Sequence, residues 1–272
     1  MKEKIVLTLL LFLPFAGHLM AQGDLMIFPK RIAFDGIQNR MQIINLSNVG
    51  KYTATYKMSY NEISMDQDGK FISIKEPQPN QRFASPYLRF YPRTITLAPN
   101  TSQTVKVQLV NTSELQAGEY RSHLYFRAVP KNKVLEKEDQ TVKPEGLSIS
   151  IKPVFGISIA NIITIGETSV AVTLSDLAIQ QSEEGVTLSL NFNRSGISSC
   201  YGDIQINHIS AVGITTSAAT LKGFAVYAPG NLRRTKIKLN TASNIDYTGG
   251  QLQVIYSTQD KRMKYAEASL HL

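Results

Sequence analysis

Apolar and polar residues alternate one for one along most of this chain. Val105, Val107 and Leu109 alternate with Lys106 and Gln108. Val186, Leu188, Leu190 and Phe192 alternate with Thr187, Ser189 and Asn191, and Leu252, Val254 and Tyr256 repeat the pattern. A period of two places every apolar side chain on one face of an extended strand. Turn signals punctuate these runs at Asp35-Gly36, Asp68-Gly69, Pro99-Asn100, Pro229-Gly230 and Gly249-Gly250. No long helical period follows residue 21. The pattern predicts an all-β protein of many short strands. Sandwiches use about seven strands in about 100 residues, so the length predicts two β-sandwiches in series.

Strand patterns run to about Ile159, and a fresh set starts near Val170, with a mixed segment containing Gly166 between them. The expected domains are therefore 22–158 and 169–272. Residues 1–21 read as an export signal. Lys2 and Lys4 make a basic start, Ile5 to Phe15 is apolar, and Ala21 offers a small residue for cleavage. That run is short for a bilayer span, which needs about 20 apolar residues. No later stretch is apolar enough either, so no membrane span is expected and the exported chain is placed in the periplasm.

The sixteen residues Pro130 to Glu145 include four Lys and four Asp or Glu, and a loop this long inside a compact domain is usually functional. It leads into Leu147-Ser148-Ile149-Ser150-Ile151, where large aliphatic and small polar residues alternate strictly. Phe155, Ile157 and Ile159 continue the apolar row past Lys152 and Pro153. Pro153 cannot donate a ladder bond and points to an edge strand or a bulge. Two readings of this row stay open. It is an ordinary strand with one buried face, or an exposed apolar edge kept for pairing with another chain.

Composition narrows the function. Hydrophobic content is 43% and charged content 18%, as in folded globular proteins. One cysteine, Cys200, excludes an intrachain disulfide and a zinc site built from several cysteines. It is either a small buried apolar residue or a free exposed thiol. His123, His208 and His271 lack metalloprotease spacing, and no metal site is expected. The formal charge of +8 falls by one unit without Lys2, Glu3 and Lys4. On an exported protein such a charge suits acidic proteins, glycans or anionic lipid better than nucleic acid. There is no Gly-x-Ser-x-Gly and no glycine-rich phosphate loop, so neither an enzyme nor a cofactor is expected. His123 lies inside a predicted strand and is expected to be half-exposed.

Four segments resemble the periplasmic chaperones of chaperone–usher pilus assembly. They are Lys30-Arg31-Ile32-Ala33-Phe34-Asp35-Gly36; Met41 to Asn48; Pro92 to Val107, with its Leu97-Ala98-Pro99-Asn100 turn followed by Ser102-Gln103-Thr104; and Gly118 to Pro130. The last is followed by the polar loop and the alternating strand. Order and spacing agree across residues 25–160, while the second domain matches only in size and strand content. The family has an acidic residue directly before the Ser of the fourth segment, where this chain has Arg121 before Ser122. It also has an Asn before the closing apolar pair, which is missing here. The likeness is to a divergent branch.

The resemblance implies two immunoglobulin-like domains. It also implies a chaperone that lends a strand to immunoglobulin-like pilus subunits, with an outer-membrane usher as a further partner. The strand donors would be Leu147, Ile149 and Ile151. The family holds the client's terminal carboxylate with two basic cleft residues, and Arg31 fits the first. The second, a Lys, falls near Gly156 when the donors are matched; the nearest Lys is Lys152, four residues earlier. Either the register shifts at Pro153 or the second anchor is missing. The competing reading is a structural or adhesive surface protein, such as a pilus subunit.

Overall fold

A computed structural model describes residues 24–130, 154–167, 169–240 and 245–272. Among them the regular structure is β, with two single-turn 3-10 helices at Ser85–Tyr87 and Thr112–Glu114. No helix among the described residues is long and apolar enough to cross a membrane.

The first sandwich has a four-stranded sheet of β1 (Leu25–Phe28), β3 (Met41–Asn48), β9 (Ser102–Leu109) and β7 (Leu88–Tyr91), in the order β1-β3-β9-β7. Facing it is a five-stranded sheet of β2 (Arg31–Asp35), β11 (Gly156–Ile165), β10 (Gly118–Ala128), β4 (Ala54–Asn61) and β8 (Thr94–Leu97), in the order β2-β11-β10-β4-β8. The opening strand thus divides between the two sheets, and β2 runs parallel to β11. Read by role, the orders are A-B-E-D and A′-G-F-C with one added strand, an immunoglobulin-like arrangement. Tyr120, at the start of β10, accepts a hydrogen bond on its hydroxyl from the Gln116 N–H at 2.9 Å. This is the local contact that marks a tyrosine corner.

The alternation seen in the sequence fills the core. Ile44 and Leu46 of β3, with Val105 and Val107 of β9, meet Ile32 and Phe34 of β2, Leu124 and Phe126 of β10, and Ile163 of β11. Each such side chain contributes about 1.5–3 kcal/mol on full burial. A hairpin of β5 (Ile63–Met65) and β6 (Phe71–Ser73) leaves this sandwich after β4. Its Asp66–Lys70 turn is held by the Asp66 carboxylate, which accepts from the Asp68 and Lys70 N–H groups.

The second sandwich pairs β12 (Val170–Ser182), β13 (Gly185–Gly196) and β16 (Leu232–Lys238) in one sheet. The other sheet has the order β15 (Thr215–Val226), β14 (Cys200–Ile209), β17 (Gln251–Ser257) and β18 (Lys264–His271). This is A-B-E facing D-C-F-G, the same plan with the fourth strand moved across. Phe192, Phe224 and Tyr256 pack ring to ring at its centre. Cys200 is buried there as a free thiol, the small apolar residue of the two readings.

The last strand of the first sandwich passes the expected boundary at residue 158 and pairs with β10 as far as Ile165 opposite Gly118. Polar alternation fades over this stretch because both faces are covered. Ile163 points into the first core, while Ala160 and Ile162 pack against Ala225 and Tyr227 of the second domain. The turn into β12 comes at Gly166, whose φ of +73° suits glycine.

Candidate functional site

The face of the five-stranded sheet turned away from the first core forms one wall of the cleft between the sandwiches. Cross-strand pairing sets its rows. Arg31 of β2 lies beside Ala160 of β11, and Ala160 lies opposite His123 of β10. One row further along, Ala33 lies beside Ile162, which faces Arg121. The other wall belongs to the second domain. Tyr227 follows β15, and Tyr201 sits near the start of β14.

Both arginines stack on these rings. The Arg31 guanidinium carbon is 4.6 Å from the Tyr201 ring centroid, and that of Arg121 is 4.2 Å from the Tyr227 centroid. Cation–π contacts contribute about 0.5–1 kcal/mol at exposed sites and about 2 kcal/mol or more when desolvated. Arg31 keeps part of its surface open, whereas Arg121 is only 4% exposed. Arg121 Nη2 donates to the Ala228 carbonyl at 3.3 Å, and its Nε and Nη1 have no partner. Burial holds the Arg121 guanidinium below its ordinary pKa, and the like charge of Arg31 adds to the effect. Burial also raises the Tyr227 hydroxyl, while the two arginines draw it back.

His123 does not take the half-exposed place expected of it. It is buried, with ring centroids 5.6 Å from Phe71 and 5.9 Å from Tyr227. Burial, and then the Arg121 charge, pull its pKa down to about 3, so the ring is neutral at pH 7. Phe71 of the β5–β6 hairpin and Tyr227 of the second domain together cover it, which no local pattern reveals. Neither ring nitrogen has a hydrogen-bond partner. Among the described residues no cluster of His, Cys, Asp or Glu is placed to hold a metal.

The domains are tied at both ends of the cleft. The Glu119 carboxylate accepts from the Ser199 N–H at 2.7 Å and from the Ser199 hydroxyl. At the other end Arg234 donates to Asp68 at 2.8 and 3.2 Å, and its N–H donates to the Gln67 carbonyl at 2.6 Å. The hairpin after β4 thus reaches across to β16.

One stretch of the cleft wall has an open edge. β2 pairs with β11 only from Ala160 to Thr164. From Gly156 to Ile159, β11 has β10 on one side and no strand on the other among the described residues. Phe155 and Ile157 are 57% and 37% exposed there. Gly156, where the matched Lys would fall, lies against Tyr125: a Cβ at that position would run into the Tyr125 side chain, which would have to shift. Leu147, Ile149, Ile151 and Lys152 lie outside the described residues. Of the expected site residues, Arg31 is the one the structure places in the cleft. Arg121, Tyr201 and Tyr227 were missed. The departure from acid to Arg at position 121 was the signal that pointed to one of them.

No protein-family model matches this chain, and no curated protein matches its sequence. Solved structures resemble it weakly. The YadV chaperone superposes with a TM-score of 0.45 at 11% identity, over 92% of this chain and 100% of that one. A chain of the CsuC–CsuE chaperone–tip adhesion subunit pre-assembly complex, from the archaic chaperone–usher Csu pili of Acinetobacter baumannii, gives 0.44 at 10% identity over 92% and 98%. A chain of the Salmonella enterica SafA pilin–SafB chaperone complex gives 0.42 at 11% identity over 92% and 97%. The immunoglobulin-like strand order rests on the pairing described above, and these likenesses add no residue-level correspondence.

Proposed function

We propose that this protein is an exported chaperone that stabilises immunoglobulin-like fimbrial subunits by lending them a strand before assembly. The observation that carries this reading is the open edge of β11. Among the described residues its N-terminal half has no partner strand on one side, Ile157 and the preceding Phe155 are exposed, and in sequence the alternating run Leu147-Ser148-Ile149-Ser150-Ile151 comes before it. Proteins normally blunt such an edge, because unpaired main-chain groups beside apolar side chains recruit other strands. Strand addition turns this hazard into binding: main-chain bonds supply affinity, and alternate side chains supply specificity.

In this reading Leu147, Ile149 and Ile151 enter the client's groove. Arg31, at the end of the open edge, meets the client's terminal carboxylate through charge-assisted hydrogen bonds. A fixed end matters, because a slip of one residue turns every donor side chain away from the groove. An outer-membrane usher is the receiving partner that such a chaperone requires.

The test is co-expression with neighbouring exported open reading frames, followed by pull-down from periplasm and repeated with Ile149→Asp. Strand lending expects a small β-rich partner with the unmutated chain, loss of that partner with the variant, and an unchanged thermal melt. A collapsed melt would make Ile149 a core residue and overturn the donor assignment. Filaments formed by this chain alone would instead make it a structural subunit.

A further inference from the structure

A cavity of about 390 Å³ opens between the sandwiches where β10 begins. It lies away from the Arg31 row: Gly118 pairs with Ile165 and Arg31 lies beside Ala160, and those five residues of β11 span ~16 Å. Small-molecule sites occupy roughly 300–1,000 Å³, so the cavity suits a ligand at the small end of that range. Both domains line it, the first with Arg82, Ala117, Gly118 and Glu119, the second with Ile197 and Pro229.

Two opposite charges line this space without pairing with each other. Arg82 is held in place, because its Nη1 donates to the Ala117 carbonyl at 2.8 Å and its guanidinium carbon lies 5.3 Å from the Tyr120 ring centroid. Gly118 leaves room for it, since a Cβ there would come 3.1 Å from Arg82 Nη1. The Nε and Nη2 edge of that guanidinium makes no hydrogen bond among the described residues. Such an edge is a planar fork that matches a carboxylate. Glu119 accepts one hydrogen bond on each oxygen, from the Ser199 N–H and hydroxyl. A carboxylate has about four acceptor positions, so both oxygens keep capacity. No ion pair joins Arg82 to Glu119 among the described residues. Arg194 also lines the cavity, but each of its nitrogens already donates to a main-chain carbonyl. Ala117, Ile197 and Pro229 supply an aliphatic wall on which Ile197 is 53% exposed, and among the described residues no aromatic side chain lines it.

We propose that this cavity binds a free α-amino acid with an aliphatic side chain. The α-carboxylate takes the open edge of Arg82, the α-ammonium takes the Glu119 carboxylate, and the side chain lies on Ile197 and Pro229. A free amino acid carries both charges around one carbon, whereas a chain end brings only one of them. A simple anion would leave Glu119 facing like charge, and a simple cation would do the same to Arg82. An occupant that touches walls from both sandwiches binds only their docked arrangement and so stabilises it by mass action. The site is independent of strand lending.

The test is an NMR titration of the 15N-labelled chain with L-leucine and with two analogues that each lack one charge, 4-methylpentanoate and 3-methylbutylamine. L-Leucine should bind at least tenfold more tightly than either, because each analogue leaves one charged group of the site without its partner. Arg82→Gln should lower L-leucine affinity at least tenfold and leave that of 3-methylbutylamine unchanged. Ile197→Ser should weaken L-leucine, and an unchanged affinity overturns the aliphatic assignment. Absence of any shift up to ~10 mM L-leucine overturns the site. Equal binding of 4-methylpentanoate makes it a plain anion site and overturns the proposal, as does a folded Arg82→Gln that binds L-leucine like the unmutated chain. If Arg82→Gln fails to fold, the Arg82 Nε–H resonance of the unmutated chain decides. It should shift with L-leucine and not with 3-methylbutylamine, and an unmoved resonance overturns the site.

Discussion

Glu119→Ala should uncouple the two sandwiches without unfolding either. The Glu119 carboxylate accepts two hydrogen bonds from Ser199, and its own backbone stays in β10. Hydrogen bonds to charged groups contribute about 1.5–3 kcal/mol each, and partial exposure of this site puts the pair at roughly 2–4 kcal/mol. The apolar part of the interface is the cluster of Ala160, Ile162, Ala225 and Tyr227. Its two large side chains contribute a further ~4–5 kcal/mol. The carboxylate therefore supplies a large share of what couples the domains, while both cores remain untouched. Differential scanning calorimetry should show one transition in the unmutated chain and two in Glu119→Ala, with Glu119→Gln between them because its amide keeps one acceptor. Small-angle scattering should show a larger radius of gyration for the Ala variant. A single transition with an unchanged midpoint would refute this account and assign the coupling to the apolar cluster and the Asp68–Arg234 tie.

Three further outcomes are expected. Under the strand-lending proposal, Arg31→Ala should leave circular dichroism unchanged and lower the yield of a co-expressed client strongly, because removing one partner of a buried charge pair costs ~2–5 kcal/mol; full client yield would remove Arg31 from the proposed anchor. Lys152→Ala should lower client levels less than Arg31→Ala, measured side by side. His123, buried and neutral with a pKa down to about 3, gives a pH dependence of defined sign. The unfolded chain takes up a proton below about 6.5 while the folded chain does not, so stability falls as pH drops from 6.5 towards 3, by roughly 2–3 kcal/mol at pH 4.5. Urea titrations at pH 7 and 4.5 should show this loss, and His123→Phe should reduce it.

Period two and turn residues disclosed the all-β class, the two sandwiches and the cores, because burial of one sheet face leaves a direct mark on alternate residues. The mark weakens where both faces are covered. β10 reads Glu119-Tyr120-Arg121-Ser122-His123, with polar residues on the face that meets the second domain, so it looked like a half-exposed strand. Ala160 and Ile162 are apolar on that same face, which blurred the end of the first domain. Arg31 was legible through a resembling segment. Arg121 stood out only as a departure, and its place in the cleft depends on Tyr227, 106 positions along the chain. The Asp68-Gly69 turn was visible as a turn, while its reach to Arg234 is a tertiary fact without a local signal.

Because β2 begins alongside Ala160, the side of β11 that has no partner among the described residues has a finite length. Any chain that pairs along Gly156–Ile159 runs out of ladder at the point where β2 occupies the same hydrogen-bonding row. The fold therefore contains a built-in ruler. Its zero is the first residue of β2, Arg31, and distance along it is counted in rungs of about 3.3 Å. A guest strand would be measured from a hard stop, so its alignment would be fixed by excluded volume before any side chain was read.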